Sequence, residues 1–285
     1  MKKYILLALL SLCLGSPAFS ESLYDSAGDR LEEYRFQVSF AEKYFEYMGH
    51  YRNYNIFQNS VHEYETPSLM HRGLLYDMGL KMGLPGDYVA GVEVKSIFQE
   101  LDKTEANSVQ TIALLLRKYF GGGAGLMAGV RLAIDQNLPA EPRLINEENK
   151  KNLILGLFYK PDLGMFNLKI QASGEQPFFS NPAYTGEFEL TLLGGLVIYD
   201  DKTEEKISLN TELVYHGMGK DKTVSTYALI VPQLSVYFYD SLTFILGVDI
   251  LAYANEVYIN RYDKYLYTFK FSYNVSAVPS EKNKK

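Results

Sequence analysis

The sequence has 285 residues, 28 Lys and Arg against 34 Asp and Glu for a formal net charge of −6, one Cys, no Trp, 24 Tyr and 16 Phe. A lone cysteine excludes a disulfide framework and a thiolate metal site, and an acidic balance with no basic stripe argues against nucleic acid as a partner. No stretch beyond residue 20 is apolar over the ~20 residues a spanning helix needs, so any passage through a bilayer must use strands.

Lys2 and Lys3 precede an apolar run from Tyr4 to Leu14, followed by Gly15, Pro17 and the small-residue site Ala18-Phe19-Ser20. This is the order of parts in a secretory signal, so residues 1–20 are expected to be removed by cleavage before Glu21. The run is too short for a membrane anchor. Lipidation at Cys13 is disfavoured by the bulky Leu12 directly before it.

The next segment is ambiguous. Leu31, Tyr34, Val38, Ala41, Phe45 and Met48 recur at helical spacing, while Tyr34, Phe36, Val38 and Phe40 recur at strand spacing. Periodicity leaves both readings open.

From about Leu74 a period of two dominates, which puts alternate side chains on opposite faces of a strand. Ile207, Leu209, Leu213 and Tyr215 alternate with Ser208, Asn210, Glu212 and His216, and Phe188, Leu190, Leu192, Leu196 and Ile198 with Glu187, Glu189 and Thr191. Tyr265, Tyr267, Phe269, Phe271, Tyr273 and Val275 interleave with Thr268, Lys270, Ser272 and Asn274. Eleven strands are predicted, near 74–84, 87–100, 108–119, 123–136, 149–160, 164–173, 185–199, 205–216, 224–239, 242–253 and 264–275. They are longer than the roughly 5 to 6 residues of a globular strand and suit a tilted membrane crossing.

Connection lengths alternate as well. Short turns are expected at 84–87, 120–123, 160–164, 199–204 and 239–241, and longer ones at 101–107, 137–150, 174–184, 217–223 and 254–263. Short turns on one side and long loops on the other are the asymmetry of an outer-membrane barrel. Because bacterial single-chain barrels have even strand numbers, a twelfth strand is expected within Tyr54 to His71, leaving Leu31 to Met48 outside the wall as a helix or a lumen segment. On that reading, deleting Leu31 to Met48 raises conductance without abolishing assembly.

The expected fold is all-β, a transmembrane antiparallel up-and-down β-barrel of about 12 strands, within a bracket of roughly 10 to 14. The divisions are a signal peptide (1–20), an N-terminal periplasmic or lumen segment (21–53), the barrel (54–275) and a polar disordered tail (276–285). Tyr119, Phe120, Tyr159, Tyr199, Tyr239, Tyr262, Tyr265 and Tyr267 fall at or near strand ends, where an aromatic interface belt belongs.

Little in the chain carries chemistry. His50, His62, His71 and His216 are too scattered for a metal set, and Ser208 lies about 26 Å from His216 along one strand, too far to form a catalytic pair. His216 reads as a solvated rim residue. The run Gly121-Gly122-Gly123-Ala124-Gly125 lacks the Lys-Ser/Thr of a phosphate loop and reads as a hairpin turn. Neither an enzyme nor a cofactor is expected.

The wet faces hold Lys81, Lys95, Arg117, Arg131, Lys169 and Lys270 against Glu93, Asp135, Glu187, Glu189, Glu212 and Asp249. On the lipid side an Arg or Lys near the midplane costs ~2 to 4 kcal/mol, so these twelve are candidates to line the lumen. Six of each sign imply weak ion selectivity.

Glu65-Thr66-Pro67-Ser68-Leu69-Met70-His71-Arg72-Gly73-Leu74, continuing through Asp77-Met78-Gly79-Leu80-Lys81-Met82-Gly83-Leu84-Pro85-Gly86-Asp87, resembles the outer-membrane family named for the meta-pathway of phenol degradation. Members of that family show a Thr-Pro strand, an Arg-Tyr-Gly-Leu turn and a short apolar strand before Gly-Asp opens the next one; here the Tyr between Arg72 and Gly73 is missing and Gly79 stands where an acidic residue is usual. The resemblance implies a barrel that takes up small apolar or aromatic compounds, and it transfers no catalytic residue. The expected function is a passive pore or transporter in the outer membrane of a Gram-negative-type envelope. Its expected partners are outer-membrane lipid, the barrel-assembly machinery during insertion and a small solute. The alternative is a structural or surface-interaction barrel working through its outer loops, with 137–150 as the contact surface.

Overall fold

A computed structural model describes residues 30–46, 48–52, 54–57, 63–65, 71–101, 104–134, 151–178, 185–201, 205–220, 223–238, 242–255, 257–260 and 266–276. In chain order the strands are β1 (Arg35–Glu46), β2 (Met48–Arg52), β3 (Tyr54–Asn55), β4 (Glu63–Glu65), β5 (His71–Leu84), β6 (Tyr88–Leu101), β7 (Thr104–Tyr119) and β8 (Ala124–Ala133). They continue with β9 (Lys151–Tyr159), β10 (Phe166–Pro177), β11 (Gly186–Asp200), β12 (Glu205–Lys220), β13 (Thr223–Phe238), β14 (Leu242–Asn255), β15 (Val257–Asn260) and β16 (Leu266–Ser276).

Twelve of these, β1, β5 to β14 and β16, pair antiparallel in a closed ring. β1 closes it, with Arg35 opposite Ser276 of β16 and Phe36 opposite Met82 of β5. β3 adds two pairs to the far end of β14, and β15, β2 and β4 form a separate small sheet at the same end. Closure leaves the wall without a free sheet edge, which a hydrocarbon environment demands.

The faces are inverted relative to a water-soluble protein. On β12, Ser208, Asn210, Glu212 and Val214 are buried while Leu209, Leu213 and Tyr215 are exposed; β9 exposes Leu153, Leu155 and Leu157 and buries Asn152, Ile154 and Phe158. The alternation read from the sequence therefore holds with apolar residues outward. Tyr88, Phe120, Tyr159, Phe166 and Tyr199 are exposed at the short-turn end and form a belt there, whereas Tyr119, expected in that belt, turns inward and is buried.

Two expectations are corrected. The twelfth strand is residues 35–46, not 54–71, so the barrel begins near 35 rather than 54. Its identity is decided by pairing with the last strand, a contact that local periodicity cannot display. The loops expected at 101–107 and 217–223 are instead two-residue connections, because β6 and β7 stay paired up to Leu101↔Thr104 and β12 and β13 up to Lys220↔Thr223. The Gly run is a hairpin turn containing a 3-10 segment, Gly121–Gly123, where Gly123 has φ of 87° and a Cβ would stand 2.1 Å from the Lys160 carbonyl oxygen. The signal segment, the loop 137–150 and the tail after Ser276 lie outside the described residues.

Candidate functional site in the barrel lumen

The inward rows bring the charged candidates together in groups. At the short-turn end Arg117 on β7 is fully buried and its Nη2 lies 3.2 Å from Glu93 Oε1 on β6, with Lys81 on β5 buried nearby: a Cβ on Gly91 would lie 3.4 Å from both Lys81 Cγ and Arg117 Nη1. Lys95 stands opposite Asp77 and Thr111. Lys169 on β10 is buried on an inward row.

Higher up, Arg131 of β8 binds Glu175 of β10 at 2.8 Å, and Asn152 Nδ2 donates to the same carboxylate at 2.8 Å. On the opposite wall Gln233 Nε2 donates to Glu212 Oε2 at 2.8 Å, and Asn210 accepts from Asn167 at 2.8 Å while donating to Ser235 Oγ at 3.1 Å. Asp249 on β14 is also buried. Lys270 on β16 pairs through its backbone with Ala41 and Ile245. Asp135 lies outside the described residues.

His216 is not the solvated rim residue expected. Its ring stacks on Tyr227 at 5.0 Å, its Nε2 is 3.7 Å from Glu187 and its Nδ1 is 3.9 Å from Glu189, which accepts from Thr191 at 3.3 Å. Cross-strand register places it opposite both Glu189 and Tyr227, a relation invisible within one strand. Glu175 escaped the sequence reading in a similar way, since it sits near the end of its strand. Its signal was the alternation with Gln171 and Ser173. Among the described residues no group of three His, Cys, Asp or Glu could hold a metal ion.

Apolar side chains also face inward. Ala113, Leu115, Met127 and Ile154 form one buried cluster, and Val214, Tyr227, Leu229, Val231 and Ala254 form a second on the other side. Gln99, Thr111, Asn152, Ser208 and Val231 have no accessible surface, so much of the interior is filled by side chains.

The segment before β1 lies inside the short-turn mouth. Leu31 packs against Val89, Tyr119 and Phe158, inward residues of β6, β7 and β9. Gly83 of β5 makes room: a Cβ there would meet the Glu32 carbonyl oxygen at 2.0 Å. Tyr34 donates its N–H to Gly83 O at 2.9 Å and adopts φ of 62°, which turns the chain sharply from the mouth into β1. Arg30 pairs with Asp87 in the first hairpin turn. These residues form a strap across the β5 to β9 sector of the mouth.

No family model matches the chain, and no curated protein does either. Among solved structures it is similar to an outer membrane channel from Pseudomonas putida F1, at a TM-score of 0.61 and 12% identity over 90% of this chain and 100% of that one. It is also similar to the β domain of a Bordetella autotransporter, at 0.52 and 12% over 85% and 98%. These likenesses show the fold of an outer-membrane β-barrel.

Proposed function

We propose that the chain is an outer-membrane channel for small solutes, with a narrow lumen suited to compact molecules that carry an apolar or aromatic body. The observation that carries this is the interior lining. A purely structural barrel gains most from inward charges neutralised in pairs, yet two buried apolar clusters stand among the inward rows, so a solute that parts the packed side chains meets an apolar wall as well as a charged one. The likeness to an outer membrane channel supports the pore, and the local resemblance to the phenol meta-pathway family supports the solute class.

Placement in the outer membrane follows from the signal-like N-terminus and the outward belt, where Leu155 and Leu157 are 56% and 59% exposed and only lipid would cover them. Membrane lipid and, during insertion, the barrel-assembly machinery are then its partners. Both described chain ends and the short turns face the periplasm. The reading is tested by reconstituting folded protein in planar bilayers and liposomes. It predicts small conductance steps and, above the rates of protein-free liposomes, faster entry of the benzoate anion than of a sugar. A silent bilayer with impermeable liposomes overturns it.

One observation favours the surface-interaction alternative. β7, β12 and β13 each run 16 residues, well beyond the roughly 9 to 11 needed to cross, so their paired ends project from the membrane. Silent bilayers would favour this reading.

A further inference from the structure

We propose that the lipid-facing wall carries a phospholipid site, an oblique groove across β6 to β10 that seats one acyl chain while Lys118 holds the phosphodiester. The inference rests on the barrel spanning a membrane and is independent of whether it conducts.

Register supplies the groove. Tyr88, Lys118, Leu126, Leu157 and Ala172 are successive cross-strand partners on five adjacent strands. The next outward row is Leu116, Ala128, Leu155 and Gly174. Small residues interrupt the leucines at Ala128, Ala172 and Gly174, so the surface dips there into a groove of about 580 Å³. Around Gly174 there is space: a Cβ would meet nothing nearer than the Glu187 carbonyl at 3.7 Å. Four strand spacings of ~4.8 Å give a length of about 19 Å, the scale of an extended fatty-acyl chain. Strand tilt makes the row climb from the membrane surface toward its middle.

Lys118 gives the groove a polar end and identifies the occupant. It is the one charge in these two rows, placed beside the first hairpin turn. Its ammonium lies 4.5 Å from the Tyr88 ring centroid and donates to the Gly86 carbonyl. An ammonium has three donors, and the Gly86 carbonyl takes one. A cation at the interface beside an apolar track matches an anionic head on an acyl tail, and the periplasmic position selects a glycerophospholipid of the inner leaflet.

The test titrates full-length folded protein in uncharged detergent with phosphatidylglycerol or with diacylglycerol of the same chains, and counts bound lipid by native mass spectrometry. Heat-modifiable migration first establishes that each variant is a folded barrel; a wild-type protein that is soluble without detergent would instead defeat the membrane reading itself. One phosphatidylglycerol should be retained, with diacylglycerol about tenfold weaker, the scale of one charge-assisted contact. Lys118→Gln should weaken phosphatidylglycerol to the diacylglycerol level and Lys118→Arg should restore it. Ala172→Phe, which fills the groove without touching the lumen, should weaken both lipids. Equal binding by wild type and Lys118→Gln, or no effect of Ala172→Phe, overturns the proposal.

Discussion

Trimming Leu31 to Ala should release the strap from the periplasmic mouth. Ordering the five residues Arg30 to Tyr34 costs roughly 5 to 10 kcal/mol of backbone entropy at ~1 to 2 per residue. Against this stand Leu31, 9% exposed and worth ~1.5 to 3 kcal/mol, and the exposed Arg30–Asp87 pair, worth at most ~1. The hydrogen bonds of Tyr34 to Gly83 and Arg35 to Glu32 add ~1 kcal/mol each. The strap therefore sits near balance. Leu31→Ala, at about 2 kcal/mol for a side chain packed on three neighbours, shifts the docked-to-released ratio about thirtyfold. Trypsin should then cleave the folded variant after Arg30 faster than wild type, and bilayer recordings should show longer-lived or larger openings, with Leu31→Ile close to wild type. Unchanged cleavage and unchanged conductance would refute the strap.

Further outcomes follow from the wall and the lumen. Deleting residues 31–48 should abolish assembly, seen as loss of the heat-modifiable band, because it removes β1 and not a plug. Leu116→Arg on the outward face of β7 should cost ~2 to 4 kcal/mol in urea unfolding from lipid, whereas Asn107→Arg, outward on the same strand near its far end, should cost at most ~1. Glu175→Ala leaves Arg131 and Asn152 without their shared acceptor and should cost about 3 to 5 kcal/mol by the same measurement. The reversal potential of wild-type channels in a salt gradient should lie near zero, and Glu187→Gln with Glu189→Gln should move it toward anion preference.

The sequence made legible whatever repeats within one strand. The outward and inward rows of β9, β11 and β12 follow directly from their alternation, because a slip of one residue would put the outward leucines, among them Leu155, Leu192 and Leu209, in the lumen. What stayed hidden depends on pairing between distant segments. Residues 35–46 carry aromatic and β-branched residues that satisfy both periods, and only β16 on one side and β5 on the other settle them as wall. The turns near 102 and 221 are polar and charged like loops, yet pairing continues up to them because water and hydrogen bonds serve a projecting hairpin equally well. In the lumen, direction was readable and partnership was not: Glu93, Arg117 and Glu212 could be assigned a side, but the His216 contact with two glutamates needed the register of three strands.

The neighbour relation between Arg35 and Ser276 governs how this molecule can be made. The first wall strand leaves the ribosome long before its partner exists, so throughout synthesis and export β1 has an open edge that nothing in the growing chain can cover. Each unpaired amide carried into hydrocarbon costs several kcal/mol, which forbids piecemeal entry of hairpins into the bilayer and makes closure a condition of insertion. Loss of the last 20 residues, 266–285, therefore has an effect out of proportion to their number: a chain ending before β16 is an open sheet with two sticky margins, destined for aggregation and proteolysis instead of a slightly smaller barrel.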